Sequence, residues 1–262
     1  MKHNFARTLS LALVLLSFGG VFGLFADENT VNLESAVIQD FSNPDAQNWF
    51  VMGSKFATKG FPQLAWAKAW PQSVFGTNVG NKDIRSLGVA MLFDRQEYNW
   101  VDIIPGTKSS DPKGGWTPKE LPLPGRVKML DLWVWSGNYD YYLDAYVRDF
   151  QGIVHTIDMG NLNFVGWKNL RINIPDNVPQ SRKYLPKKEP LSLVKFRIWT
   201  RPTEVVVIPT NDPNATDMDK AVKFYFSNIK VLTDTFETLF DGDNLTDPAL
   251  IQSTWGNASS GK

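Results

Sequence analysis

The sequence predicts an all-β protein, an antiparallel β-sandwich of jelly-roll form with long surface loops. Three observations carry that expectation. Residues 121–175, from LPLPGRVKMLDLWVWSGNYDYYLDAYVRDFQG through IVHTIDMGNLNFVGWKNLRINIP, alternate apolar and polar residues almost without a break and stop at Gly/Asn/Asp clusters. That is the mark of consecutive strands with one buried face. No helix-length part of the stretch repeats its apolar residues at a period of about 3.6. Strand-like runs then recur at intervals of roughly 10–15 residues with turn formers between them, as in sandwiches and jelly rolls.

From the N-terminus, residues 1–26 read as a secretory signal peptide. Lys2 and Arg7 open it, Leu9–Gly20 is an apolar run too short to cross a bilayer comfortably, and Gly19, Gly20, Gly23 and Ala26 supply small residues before Asp27-Glu28. Cleavage after Gly23 and cleavage after Ala26 both fit. Of 27 basic and 27 acidic residues, loss of Lys2 and Arg7 with the leader leaves 25 basic against 27 acidic. That balance points to neither nucleic acid nor a membrane surface as partner, and the mature chain is expected to carry no membrane span. The absence of cysteine excludes disulfides, thiolate metal sites and a cysteine nucleophile. Residues 27–236 therefore form one sandwich resting on its hydrophobic core. Residues 237–262, polar and rich in Gly, Asn and Ser from Asp241 onward, read as a flexible C-terminal tail.

Within the sandwich, strands are expected at Ala36–Phe41, Leu64–Ala69, Ser86–Phe93, Asn99–Ile104, Val127–Trp135, Tyr141–Asp149, Ile153–Met159, Trp167–Ile174, Leu193–Thr200, Glu204–Ile208 and Val222–Leu232. Residues 106–125, with prolines at 112, 118, 122 and 124, read as an extended surface loop. Residues 176–190 and 210–219 read as two further loops.

Period-two alternation then assigns faces. In Val127–Trp135, Lys128, Leu130, Leu132 and Val134 point one way, and Met129, Asp131, Trp133 and Trp135 the other. In the next strand Leu143, Ala145 and Val147 make the core set, with Tyr142, Asp144, Tyr146 and Arg148 opposite. If Gly137-Asn138 closes a hairpin, the two strands pair, and Asp131, Trp133, Trp135, Tyr142, Asp144, Tyr146 and Arg148 share one acidic, aromatic interaction face. Such a face is either a binding platform or a surface packed under loops. A second, basic face follows from Leu193–Arg201: Val194, Phe196 and Ile198 inward, and Lys195, Arg197, Trp199 and Arg201 outward. Complementary faces of this kind suit contacts between copies of the chain.

Catalytic and metal-binding patterns are weak. His155 is the one histidine outside the leader, lies mid-strand and lacks a nucleophile-elbow motif nearby, so it reads as a structural histidine. One histidine and no cysteine make no ordinary zinc site. Asp241-Gly-Asp-Asn-Leu-Thr-Asp lacks the glycine and the final glutamate of a calcium-binding EF-hand loop. No paired carboxylates can be assigned for glycoside hydrolysis. The expectation is a protein without catalytic residues, metal or cofactor.

Five segments carry a family likeness: LFDRQEYNWVDIIPG (92–106), LPLPGRVKMLDLWVWSGNYDYYLDAYVRD (121–149), FVGWKNLRINIP (164–175), LVKFRIWTRPTE (193–204) and FYFSNIKVLTD (224–234). They resemble the spirochaete flagellar filament outer layer (sheath) protein family, FlaA, in order along most of the domain. GWKNL and FYFSNIKVL also resemble strands of carbohydrate-binding jelly-roll modules. The first resemblance implies a non-catalytic sheath subunit in the periplasm, with the flagellin core filament, other flagellar sheath proteins and copies of itself as partners. It implies no transferable catalytic residues. The alternative is a periplasmic carbohydrate-binding jelly-roll module, with Trp133, Trp135, Tyr142 and Tyr146 as stacking residues.

Overall fold

The computed structural model describes residues 32–41, 49–80, 82–110, 114–181, 189–235, 245 and 247–256. Its contacts separate residues 1–30 from 31–262. The expected leader, most of the Asp241–Asp247 run and most of the expected tail lie outside the described residues. Within that tail, Pro248–Trp255 forms a helix, α3, with Asp247 as its N-cap.

Two antiparallel sheets make the sandwich, as the alternation predicted. The elements in chain order are β1 (Leu33–Gln39), β2 (Trp49–Gly53), β3 (Gln63–Ala67), α1 (Gln72–Phe75), β4 (Ser86–Met91), β5 (Trp100–Lys108), β6 (Trp116–Pro118), β7 (Leu121–Pro122), β8 (Arg126–Gly137), β9 (Tyr142–Arg148), β10 (Val154–Asn161), β11 (Val165–Asn173), β12 (Ser192–Trp199), α2 (Asp217–Lys220), β13 (Val222–Asp234) and α3. Sheet A runs β11-β8-β13-β4-β3, with β1 also paired to β13. Sheet B runs β10-β9-β12-β5-β2, with β6 on β5 and β7 on β12.

The core is the space between the sheets. Leu87, Val89, Leu130, Leu132, Val134, Phe224 and Phe226 point in from sheet A, and Val101, Ile103, Leu143, Ala145, Val147, Phe196 and Ile198 from sheet B, all buried. Burying a side chain of this size is worth about 1.5–3 kcal/mol, and the single cluster they form is what a cysteine-free chain must rely on.

Two inward assignments shift by one residue, each at a bulge. Leu193, not Val194, is buried, because the β12–β9 register slips between Leu193 and Lys195. Val127, not Lys128, turns inward, because Leu232 and Thr233 of β13 face Met129 and Val127 in succession. The extra residue of each bulge puts positions two apart in sequence, Leu193 and Lys195 or Val127 and Met129, on opposite faces.

Elsewhere the strand expectations meet three differences. Glu204–Ile208 is not a strand. It is tied down by side chains, with Tyr141 Oη donating to the Val205 carbonyl at 2.6 Å and the Asp140 amide donating to Glu204 Oε2 at 2.9 Å. Residues 106–125 are not wholly loop, since β5 continues to Lys108 and β6 pairs with it from Gly106↔Pro118 to Lys108↔Trp116. β2 is a strand without alternation: Trp49 faces the core, while Phe50 is buried outside under Trp116, ring centroids 5.5 Å apart. A strand covered on both faces shows no polar period.

The expected β8–β9 hairpin is absent. β8 pairs with β11 and β13, β9 with β10 and β12, and Ser136–Asp140 crosses from one sheet to the other. Tyr141 is fully buried after the crossing, its ring beside Tyr139 and Phe224 at 5.9 and 5.8 Å. Burying those rings at the end of the sandwich holds the crossing in place of a tight turn.

Candidate functional site

The crossing divides the expected acidic face. Asp131, Trp133 and Trp135 stand on the outer face of sheet A; Tyr142, Asp144, Tyr146 and Arg148 stand on the outer face of sheet B, on the far side of the core. The basic set falls beside the second group, because β12 pairs directly with β9.

Sheet B carries an ordered mosaic. One row reads Trp100, Trp199, Tyr142, Asn161; the next Asp102, Arg197, Asp144, Asp158; a third includes Lys195, Tyr146 and Thr156. Asp102, only 4% exposed, binds two cations. Lys195 Nζ donates to its Oδ2 at 2.8 Å, and Arg197 forks onto both oxygens, with Nη2 at 2.8 Å. That bond to Asp102 raises the Arg197 pKa, as expected for a bidentate pair. Trp199 Nε1 donates to Asp144 Oδ2 at 2.9 Å. Burial still pushes the Asp144 carboxyl up, aided by the charge of Asp158 and opposed by the Trp199 bond and Arg197.

Cations and rings alternate along this face. Arg201 sits 5.2 Å from the Tyr142 ring, Tyr142 stacks on Trp199 at 6.1 Å and 14°, and Arg197 lies 5.0 Å from Trp199, 4.3 Å from Trp100 and 5.5 Å from Tyr146. Lys195 sits 4.7 Å from Tyr146. Each contact contributes about 0.5–2 kcal/mol depending on exposure. The π faces that a ligand would stack on are thus engaged by neighbouring side chains. Arg201 also pairs with Asp140 at 3.2 Å, and Arg148 with Glu120 at 2.7 Å. The row in which β5 joins β12 escaped sequence reading: Trp100 and Asp102 are outward by alternation, but nothing local says which strand lies next to them.

Sheet A is built differently. Trp133 and Trp135 face outward with Trp167 and Tyr225 flanking Trp135. Trp135 meets Tyr225 edge-on at 5.5 Å. Tyr225 lies across Gly88, where an added Cβ would come within 2.9 Å of the ring, so the close approach requires glycine. Asp131 Oδ2 accepts from Asn169 Nδ2 at 3.1 Å and Arg171 Nε at 3.0 Å. Among the described residues, Asp131 Oδ1, Asn169 Oδ1 and Ser227 Oγ on this sheet, and Arg201 Nε beside sheet B, are buried without a hydrogen-bond partner.

His155 is a hairpin residue. Its Nε2 lies 2.7 Å from Asp149 Oδ2, while Asp149 Oδ1 accepts from the amides of Gln151 and Ile153 at 2.8 and 3.0 Å. Burial works to raise the Asp149 pKa, but these hydrogen bonds, that of His155 foremost, together hold it below the ordinary carboxylate value. Among the described residues, no group of three or more His, Asp or Glu gathers as a metal site, and no helix is long and apolar enough to cross a membrane.

What fold and faces define is a β-sandwich with two side-chain-rich outer sheets on opposite sides of one core. The family of the flagellar filament outer layer protein FlaA matches residues 30–241, and the chain belongs to that family. A relative described as a putative flagellar filament outer layer-like protein from Brachyspira hyodysenteriae is 31% identical over 94 residues, 36% of this chain and 38% of the relative. The match therefore spans less than half of that relative's length. Among solved structures, the family 11 carbohydrate-binding module of the cellulosomal cellulase Lic26A-Cel5E of Clostridium thermocellum is similar at 13% identity and TM-score 0.37, over 80% of this chain and 99% of that one. A family 29 carbohydrate-binding module from Piromyces equi is similar at 10% identity and TM-score 0.30, over 78% and 92%. At such scores nothing about this chain's ligands follows from the likeness.

Proposed function

We propose that this chain is a non-catalytic structural subunit of the sheath, the outer layer that coats the flagellin core of a periplasmic flagellar filament and contributes to its shape and motility. One observation carries the reading: the family match runs from residue 30 to residue 241 and so takes in every strand from β1 to β13. The match takes in the whole sandwich with both its outer faces, rather than a motif placed on it. A coat subunit needs two such faces, one toward the filament and one toward neighbouring sheath proteins or copies of itself. Each contact can be modest, because a polymer multiplies it. The export leader read at residues 1–26 agrees with assembly in the periplasm.

Co-sedimentation of the exported protein with purified filaments stripped of their native coat tests this. The expected result is saturable pelleting with filaments and none without them. It should weaken for Arg171→Glu on sheet A or Arg148→Glu on sheet B, whichever face lies against the core. Failure to pellet, even with other sheath proteins added, overturns the proposal.

A further inference from the structure

The mosaic on sheet B ends in an open depression of about 380 Å³ lined by Tyr98, Tyr142, Asp158, Gly160, Asn161 and Arg201. That volume lies near the lower end for small-molecule sites, roughly 300–1,000 Å³. Its polar groups are held in place from behind. Asp158 Oδ1 accepts from the Gly160 amide at 2.8 Å, and Asn161 Nδ2 donates to Asp140 Oδ1 at 2.7 Å. Arg201 is fixed by its pair with Asp140 and by the face of Tyr142. Asp158 Oδ2 makes no hydrogen bond among the described residues.

Gly160 shapes the floor. The β10–β9 register slips between Asp158 and Gly160, Gly160 has φ 102°, and an added Cβ would meet nothing within 4 Å. The glycine is therefore there for its backbone conformation, and the space above it is empty of protein. Tyr98, which also lines the depression, is 64% exposed. It is the ring of this face whose surface is not engaged by a neighbouring ring or cation among the described residues.

The lining selects a ligand by charge and shape. Asp158 disfavours a phosphate or other anion, and Arg201 disfavours a cation. A neutral molecule with hydroxyls on adjacent carbons can donate to a carboxylate and accept from a guanidinium at once, and one apolar flank can lie on a tyrosine. We infer that this depression is a saccharide subsite, in which a neutral sugar ring lies against Tyr98 with its hydroxyls held by Asp158 and Arg201. The inference does not depend on the outer-layer reading. It also differs from a platform spread over Trp133, Trp135, Tyr142 and Tyr146, since those residues are divided between two faces.

Saturation-transfer NMR on the full exported chain tests it, with a panel of neutral oligosaccharides of glucose, galactose, mannose and N-acetylglucosamine, and with peptidoglycan fragments. Transfer to at least one sugar is expected, with affinity lowered about tenfold or more in Tyr98→Ala and Asp158→Ala, the order of a lost charged hydrogen bond or ring contact. Trp135→Ala, on the opposite sheet, should leave it unchanged. Both site residues are exposed, so these variants are expected to fold. A binding assay on native and chemically deglycosylated filaments separates the sources. Loss of Tyr98-dependent binding on deglycosylation assigns a sugar carried by the filament, and binding confined to soluble oligosaccharides assigns a free one. No transfer from any sugar, or transfer that survives both site variants, overturns the inference whether or not the protein pellets with filaments.

Discussion

The two outer faces draw on the same residue types, tryptophan, tyrosine, carboxylate and cation, and arrive at different chemistry. On sheet B the buried Asp102 binds both Lys195 and Arg197, and cations alternate with rings from Arg201 to Lys195. On sheet A the comparable carboxylate, Asp131, is hydrogen-bonded by one cation, Arg171, whose side chain is 63% exposed, and Asp131 Oδ1, Asn169 Oδ1 and Ser227 Oγ lack partners there, against Arg201 Nε beside sheet B among the described residues. The difference teaches that composition does not make a surface network. Register does, by placing Arg197 between Asp102 and Asp144 across three adjacent strands. A low local dielectric strengthens a satisfied network and makes an unsatisfied group expensive.

The largest effect should come from Asp102→Ala. It leaves Lys195 and Arg197, 20% and 17% exposed, without their counter-charge, and removing one partner of a buried ionic set costs about 3–5 kcal/mol. Urea unfolding should show a loss of that order. A loss below about 1 kcal/mol would mean that the sheet B network behaves like ordinary surface charge.

A smaller, pH-dependent effect is expected at the edge of the same sheet from Asp149→Asn. The folded-state carboxyl lies below its ordinary value of 3.8. Its contribution is therefore present above that value and is lost as pH falls through the depressed one. The variant should be less stable by about 1–3 kcal/mol near neutral pH, and the gap should close on acidification. A gap that stays constant from neutral to strongly acid conditions would contradict the hydrogen-bonding account of Asp149 and His155.

The smallest effect is expected from Asp131→Asn on sheet A. The amide oxygen can still accept from Asn169, and the forfeited attraction to an exposed Arg171 is worth about 0–1 kcal/mol. A loss as large as that of Asp102→Ala would erase the contrast between the faces.

Much of this contrast could be read in part from single strands. Outward positions 131, 133, 135, 142, 144, 146, 195, 197 and 199 follow from alternation alone, since side chains on a pleated strand change face at every residue. The position of His155 in a strand was legible in the same way, but its bond to Asp149 depends on how the hairpin turns. Bulges at Leu193–Lys195 and Met129–Val127 were not legible, because an inserted residue leaves no mark in a short apolar run.

By itself, then, the sequence determined the sandwich, its core residues away from the bulges and the family likeness, because burying one face of each strand imposes a period on the chain. Only the tertiary structure decided which strands lie side by side. Trp133 and Trp135 stand apart from Tyr142 and Tyr146 because Ser136–Asp140 crosses between the sheets and buries Tyr141 as it does so. Asp102 meets Arg197 because β5 lies beside β12, 95 residues along the chain. Backbone pairing is chemically alike for nearly every residue, so the choice of neighbour comes from the fit of the whole core rather than from any local signal.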